Sequence, residues 1–284
     1  MKVSFEVAYD QGTASLKEDE EITNFPFFGV IDGVSGIYHP NDGPMMFSGM
    51  SGGQMVCHEI QLAVLNAKKT NTVLEVIEEA SRVVRHRTKK KGIPFDHTEL
   101  MPGASFVLAK IGADETEIIQ SGDCFAIVLF SAGEIVVTPN KLYKHDALLH
   151  EAVEKLMLKH RRDRVKMWQE FIPIFSAMKR RHTNNPSLAE GFGLLNGQDA
   201  LQKLLWKHEF ATKSISTMVF FSDGFVPFEK TVCEKRLGKR FLEVYAEEGL
   251  TGILERTRRA EKEKRAKSHI DHSEATAIVV KISH

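Results

Sequence analysis

The chain has 284 residues, with 38 Lys plus Arg against 38 Asp plus Glu, so its formal net charge is zero and nothing global favours nucleic acid or an anionic membrane. That length suits one large domain burying about three quarters of its unfolded surface. Cys57, Cys124 and Cys233 are odd in number and lack paired zinc-ligand spacing, residues 1–6 have no signal-peptide core, and no apolar run approaches the ~20 residues of a membrane span, which predicts free thiols in a soluble cytoplasmic protein.

Val3, Phe5 and Val7 alternate and predict a first strand over 3–8 with those three side chains on one face. Lys17-Glu18-Asp19-Glu20-Glu21 then reads as a solvated acidic loop, although a short connection could carry Glu18 or Asp19 beside the next strand. That strand, Phe27-Phe28-Gly29-Val30-Ile31, is apolar on both faces and breaks at Asp32-Gly33. The break reads either as an Asp-Gly turn or as a carboxylate delivered at a sheet edge. Residues 34–53 form a Gly-, Ser- and Met-rich loop without a Walker lysine-serine pair. Helical spacing follows over 55–64 and 73–84, the second helix closing on a run of cations at 85–91 that suits its dipole.

Four β-prone runs at 104–111, 116–120, 124–130 and 134–138 predict an antiparallel meander, with Asp123 in a tight turn. A charged helical stretch follows from about 145 to 182. In it Val165, Trp168, Ile172 and Phe175 read as a buried stripe, and Pro173 as a kink or break. His160-Arg161-Arg162 and Lys179-Arg180-Arg181-His182 make this stretch basic, which fits a solvated helix face or a docking surface for a phosphorylated partner. A short helix is predicted over 200–206. Thr217-Met218-Val219-Phe220-Phe221 is a second apolar strand, ending in Ser222-Asp223-Gly224, and helices are predicted over 236–244 and 250–267. A buried terminal strand over 275–282 is introduced by Asp271, Ser273 and Glu274.

Two buried strands that each end in Asp-Gly can bring Asp32 and Asp223 together if the strands are neighbours. Carboxylates ~5 Å apart repel by roughly 3 kcal/mol at an effective dielectric near 20, so a divalent cation is the natural counter-charge. Oxygen-only ligands point to magnesium or manganese rather than zinc.

In order, Glu18-Asp19, Asp32-Gly33-Val34-Ser35-Gly36, Gly122-Asp123-Cys124-Phe125, Ser222-Asp223-Gly224 and Ser273-Glu274-Ala275-Thr276 resemble the motifs of the metal-dependent type 2C protein serine/threonine phosphatases, in their bacterial branch. The resemblance implies an α+β fold, a four-layer α-β-β-α sandwich of two antiparallel sheets flanked by helix pairs. It implies one domain over 1–284, with 145–182 in the place of a variable flap. It further implies two Mn2+ or Mg2+ ions that activate water against phosphoserine or phosphothreonine of a protein substrate. Asp32 would bridge the ions and Gly33 would lend its carbonyl. Asp223 would bind one ion, Glu18 and Asp19 would act on the other largely through water, and Asp123 would help hold a third, weaker ion.

Three positions depart from the pattern. Ser273 stands where the last metal Asp is expected, leaving Glu274 or, with the loop shifted by two residues, Asp271. Ala14-Ser15-Leu16 stand where a phosphate-binding Arg is expected, leaving Lys17. Val34 replaces a proton-donating histidine, leaving His39 or a bound water. The alternative expectation is therefore a catalytically silent scaffold that binds a regulatory or phosphorylated partner.

Overall fold

Strand Phe27–Val34 (β3) puts Phe28 and Val30 on one face and Phe27 and Ile31 on the other, and both faces are buried. This is the pattern of a strand in the middle of stacked layers. The computed structural model describes residues 1–38, 43–160, 163–225, 235–268 and 273–284. His39, Cys233, Asp271 and the Arg161-Arg162 pair lie outside them.

β3 belongs to a five-stranded antiparallel sheet. Its neighbours are Asp19–Ile22 (β2) on one side and Gly103–Ile111 (β6) on the other; beyond β6 come Glu115–Ser121 (β7) and Trp206–Ala211 (β10), giving the order β10-β7-β6-β3-β2. The facing sheet contains Lys2–Asp10 (β1), Phe125–Phe130 (β8), Ile135–Val137 (β9), Ile215–Phe221 (β11) and Ala275–Ser283 (β12), in the order β1-β12-β11-β8-β9, and Met46–Phe47 (β4) pairs with Met50–Ser51 (β5) in a separate short hairpin. Between the sheets Phe28, Val30 and Val107 meet Val128, Phe220 and Ile278. Each such side chain contributes roughly 1.5–3 kcal/mol on burial.

The outer face of the first sheet packs on helices Gly52–Asn66 (α1) and Val73–Lys90 (α2) through Met55, Ile60, Ile77 and Val84. The outer face of the second packs on Lys235–Ser268 (α3) through Phe241, Leu250 and Ile253. That helix is broken at Gly249, whose φ of 68° suits glycine, so the two helices expected at 236–244 and 250–267 are present on either side. The four-layer sandwich is therefore as the sequence implies.

Several details differ. The meander is split, because β6–β7 and β8–β9 lie in different sheets and the chain crosses between them at 122–124. β3 and β11 are likewise in opposite sheets and face each other, so they are not laddered neighbours. The expected helix at 200–206 is a 3-10 turn over Asp199–Lys203, and Trp206 opens a strand. There Trp206, His208 and Phe210 alternate on one face, with Trp206 stacked on His208 and Phe210 tilted against it. On β1 the alternation holds, but as an edge strand it leaves Phe5 52% exposed, with its ring 5.6 Å from that of Phe28.

The described residues of the stretch at 145–182 form two helices, Tyr143–Lys159 (α4) and Arg164–His182 (α5). Asp163 caps the second helix by accepting from the Lys166 N–H at 3.3 Å. Pro173 lies inside that helix, on an exposed position. The buried seam is Leu156, Met167 and Phe171, with Phe175 packed against them, whereas Val165 and Trp168 face solvent.

Candidate metal centre

The acid run at 18–21 is not a loop. Asp19 opens β2 directly opposite Asp32 of β3, and the Gly33 N–H donates to the Glu18 carbonyl at 3.1 Å. Gly33 is required by close approach, since a Cβ there would stand 2.8 Å from the Glu18 carbonyl oxygen and 2.9 Å from Cys57 Sγ. Asp19 is buried, and its Oδ2 accepts from the Ser222 hydroxyl at 2.7 Å and the Thr276 hydroxyl at 2.9 Å. The Thr276 N–H in turn donates to Ser222 Oγ at 3.0 Å. One carboxylate thereby ties the end of β11 and the start of β12, from the second sheet, to β2 of the first.

Asp223 follows β11 after one residue, Ser222. Gly224 lets the chain pass β12, because a Cβ there would come within 1.7 Å of the Glu274 carbonyl oxygen. Asp123 is set by the crossover between the sheets. Gly122 has φ 76° and its Cβ would overlap the Ser105 hydroxyl at 2.1 Å; burial raises the Asp123 carboxyl, and the Ser105 side chain acts to lower it.

Burial, then the charges of Asp19, Asp223, Asp123 and Glu274, pushes the Asp32 carboxyl well above the ordinary range. Asp19 is pushed up to about 7 by burial and by Glu274 and Asp123, against the lowering effect of its two hydroxyl donors. Asp223 rises through crowding by protein atoms and then the charges of Asp123, Asp19 and Asp146, although its side chain keeps solvent-accessible area that tempers the shift. These carboxylates thus disfavour one another's ionisation, which is the condition a hard divalent cation relieves. The donor set fits such an ion in chemistry. Among the described residues, however, no three His, Cys, Asp or Glu side chains already converge at ligating range.

The other expected residues are engaged. Glu18 Oε1 accepts from the hydroxyls of Ser35 and of Ser51, the residue that caps α1. Glu274 Oε1 accepts from the Tyr9 hydroxyl at 2.8 Å, and its Oε2 from the Glu18 and Asp19 N–H groups at 2.7 and 3.3 Å. Ser273 is exposed, and its carbonyl accepts from Arg258 at 2.9 Å. The Lys17 ammonium is 3.3 Å from Glu20 and 4.0 Å from Glu21, and lies over the Tyr9 ring. Val34 is half-buried at the end of β3.

Sequence reasoning missed Asp146, in the first turn of α4. Burial and the charge of Asp123 push its carboxyl up to about 7, and its own charge acts on Asp223. No spacing in the sequence marks it; only the packing of α4 beside the crossover does. Ser105, Ser222 and Tyr9 were also unmarked as partners of the carboxylates.

The chain matches no protein-family profile and no curated relative by sequence. Its fold is that of the bacterial serine/threonine phosphatases of the type 2C class. The structure of the serine/threonine phosphatase PstP/Ppp from Mycobacterium tuberculosis superposes with a TM-score of 0.60 at 11% identity over 99% of each chain. The catalytic domain of PstP in complex with two manganese ions gives 0.58, again at 11% identity over 99% of each chain. Stp1 from Staphylococcus aureus gives 0.56 at 12% identity, over 100% of this chain and 96% of that one.

Proposed function

We propose that the chain is a metal-dependent protein serine/threonine phosphatase, one domain over 1–284 with α4 and α5 as a flap-like insert. The observation that carries this reading is the placement of Asp32 opposite Asp19 on one sheet, with Asp223 after β11 of the facing sheet and Asp123 at the crossover near enough that their charges disfavour the ionisation of Asp32. The fold shared with a phosphatase domain that binds two manganese ions supports it.

Asp32, Asp223 and the Gly33 carbonyl would hold Mn2+ or Mg2+, with Asp123 contributing to a further ion and Glu18 and Asp19 acting through water. When bound, such ions acidify a water for attack on a phosphate ester and stabilise the attacking and leaving oxygens. The chain's own part is to orient. Ser222 and Thr276 fix the Asp19 carboxylate, and the β2–β3 ladder sets Asp19 against Asp32. Glu274, with its oxygens accepting from Tyr9 and from the Glu18 and Asp19 N–H groups, serves first to join β12 to β2. Its help as a ligand at the position of Ser273 would be secondary. A protein substrate would approach past α4 and α5.

One observation favours a second reading. Ser273 offers no carboxylate, which suits a catalytically silent scaffold that binds a phosphorylated partner. Hydrolysis of an aryl phosphate during manganese titration, with wild type beside Asp223→Asn, separates the two. Manganese-dependent turnover lost in the variant supports the phosphatase; no turnover from folded wild type leaves the scaffold.

A further inference from the structure

The last turn of α5 carries a cation that the metal centre does not use. Lys179 is only 4% exposed. Its turn is fastened to the segment at 97–101, where the Thr98 hydroxyl donates to the Lys179 carbonyl at 3.4 Å and the Arg180 carbonyl at 3.1 Å. That segment walls the loop after Asp32. The Ile37 N–H donates to the Glu99 carbonyl at 2.8 Å, and a Cβ on Gly36 would stand 2.6 Å from the Leu100 carbonyl oxygen. Glu18 flanks the same loop from its other end, through Ser35.

The Lys179 ammonium feels the charges of both Glu18 and Glu99. Among the described residues it forms an ion pair with neither, and both acids have other partners. Glu99 is 3.0 Å from His97 Nδ1 and 3.7 Å from Arg180 Nε, and Glu18 accepts from two serine hydroxyls. Burying an ammonium without a direct anionic partner is costly, and here burial lowers its pKa to about 8, which still leaves it mostly cationic at neutral pH. Lys17 offers the contrast, being already neutralised by Glu20 and more exposed.

We propose that Lys179, delivered by α5 to the loop that follows Asp32, binds the phosphoryl oxygens of the substrate, the role that resemblance alone assigns to Lys17. An ammonium serves here as a point charge with three donors, and a phosphoryl group has oxygens to accept them. Because the lysine sits on the flap-like pair, substrate capture and the position of α5 are coupled. The inference rests on the phosphate-ester reading of the site, and it is tested by binding as well as by turnover.

The probe is inorganic phosphate, titrated calorimetrically into the full chain with manganese present. Lys179→Met is expected to weaken phosphate binding about tenfold or more, while Lys179→Arg, which keeps the charge, stays within about threefold of wild type. Manganese affinity and melting temperature should hold in both variants, which a merely structural lysine would not predict together with lost phosphate affinity. If the methionine variant does not fold, Lys179→Gln is read in the same way. Unchanged phosphate affinity in Lys179→Met, loss confined to Lys17→Met, or no phosphate binding by wild type would each overturn the proposal. Phosphate bound through Lys179 without hydrolysis would sink the phosphatase reading and leave this one standing. Manganese-dependent hydrolysis with KM unchanged in Lys179→Met would do the reverse.

Discussion

The carboxylates on the strands and the charged groups on α4 and α5 surround one region of the molecule but are held by different means. Asp19 and Asp32 are placed by a backbone ladder, and Asp19 is further bound by two hydroxyls from the opposite sheet. On the helices, the first turn of α4 is joined to the last turn of α5 by His145 and His182, whose Nδ1 atoms are 2.9 Å apart, with the Phe192 ring 4.6 Å from that of His145. Their remaining core is the small seam of Leu156, Met167 and Phe171. The strand-borne groups are thus set by main chain, and the helix-borne ones by a few side chains. The strand carboxyls shift upward through burial and like charge, whereas the helix pair shows both senses, with Asp146 raised to about 7 by burial and Asp123 and its neighbour His145 lowered to about 4 by burial and His182.

The largest expected effect tests the strand-borne side. Asp32→Asn and Asp223→Asn should each lower manganese-dependent turnover by about a thousandfold or more, because each removes an anion from the proposed cation site. The metal-free melting temperature should hold or rise, since each change also removes one of several mutually repelling charges. Retained activity in both variants would mean that the acidic cluster is not the reactive centre. Ser222→Ala comes next. It leaves the buried Asp19 with one hydroxyl donor in place of two and should cost about 1–3 kcal/mol in a denaturant melt.

Much of this frame was legible in the sequence, and what escaped shows why. Phe27–Ile31 reads correctly because a strand between two layers needs apolar groups on both faces. Asp-Glu-Glu-Ile at 19–22 carries no apolar period, so its identity as a strand comes from its ladder to β3. The Ser-Gly-Asp turn at 121–123 has the same chemistry whether it folds a hairpin or crosses between sheets, and only the pairing of β7 with β6 and of β8 with β11 decides. In α5 two stripes both fit helical spacing, and the apolar face of α4 selects Met167 and Phe171 over Val165 and Trp168. Asp146 and Lys179 became visible as site neighbours only once those helices were in place.

The pH dependence of stability sets the carboxyls against the helix-borne histidine. The strand carboxyls have folded pKa values above their unfolded ones, so the stability they contribute is full below the unfolded value near 4 and is lost as pH rises, through about 7 for Asp19. Without metal, the protein should therefore melt lower at pH 8 than at pH 6, and manganese should raise the melt more at pH 8. His145 works in the opposite direction. Its folded pKa lies below its unfolded one, so its contribution is present above about 6.5 and is lost as pH falls toward about 4. Melts from pH 4 to 8, with and without chelator, read both signs; chelator-independent behaviour at the alkaline end would remove the carboxylates from the account.

The smallest effect sharpens the comparison just ahead of β12, where Ser273 stands in place of an expected acid. A Cβ on Gly224 would lie 3.1 Å from the Ser273 Cβ, so a side chain at 273 stands beside the residue that follows Asp223. Ser273→Asp should bring a carboxylate into reach of the same cation and lower the manganese concentration for half-maximal effect by about three- to tenfold. Without metal, the same change adds a like charge to a cluster that already resists ionisation, and the melt should fall slightly at pH 8. The two signs must occur together. Tighter manganese binding without metal-free destabilisation would mean that residue 273 acts from outside the cluster, and weaker binding would mean that Glu274 already completes the site and the added acid displaces it.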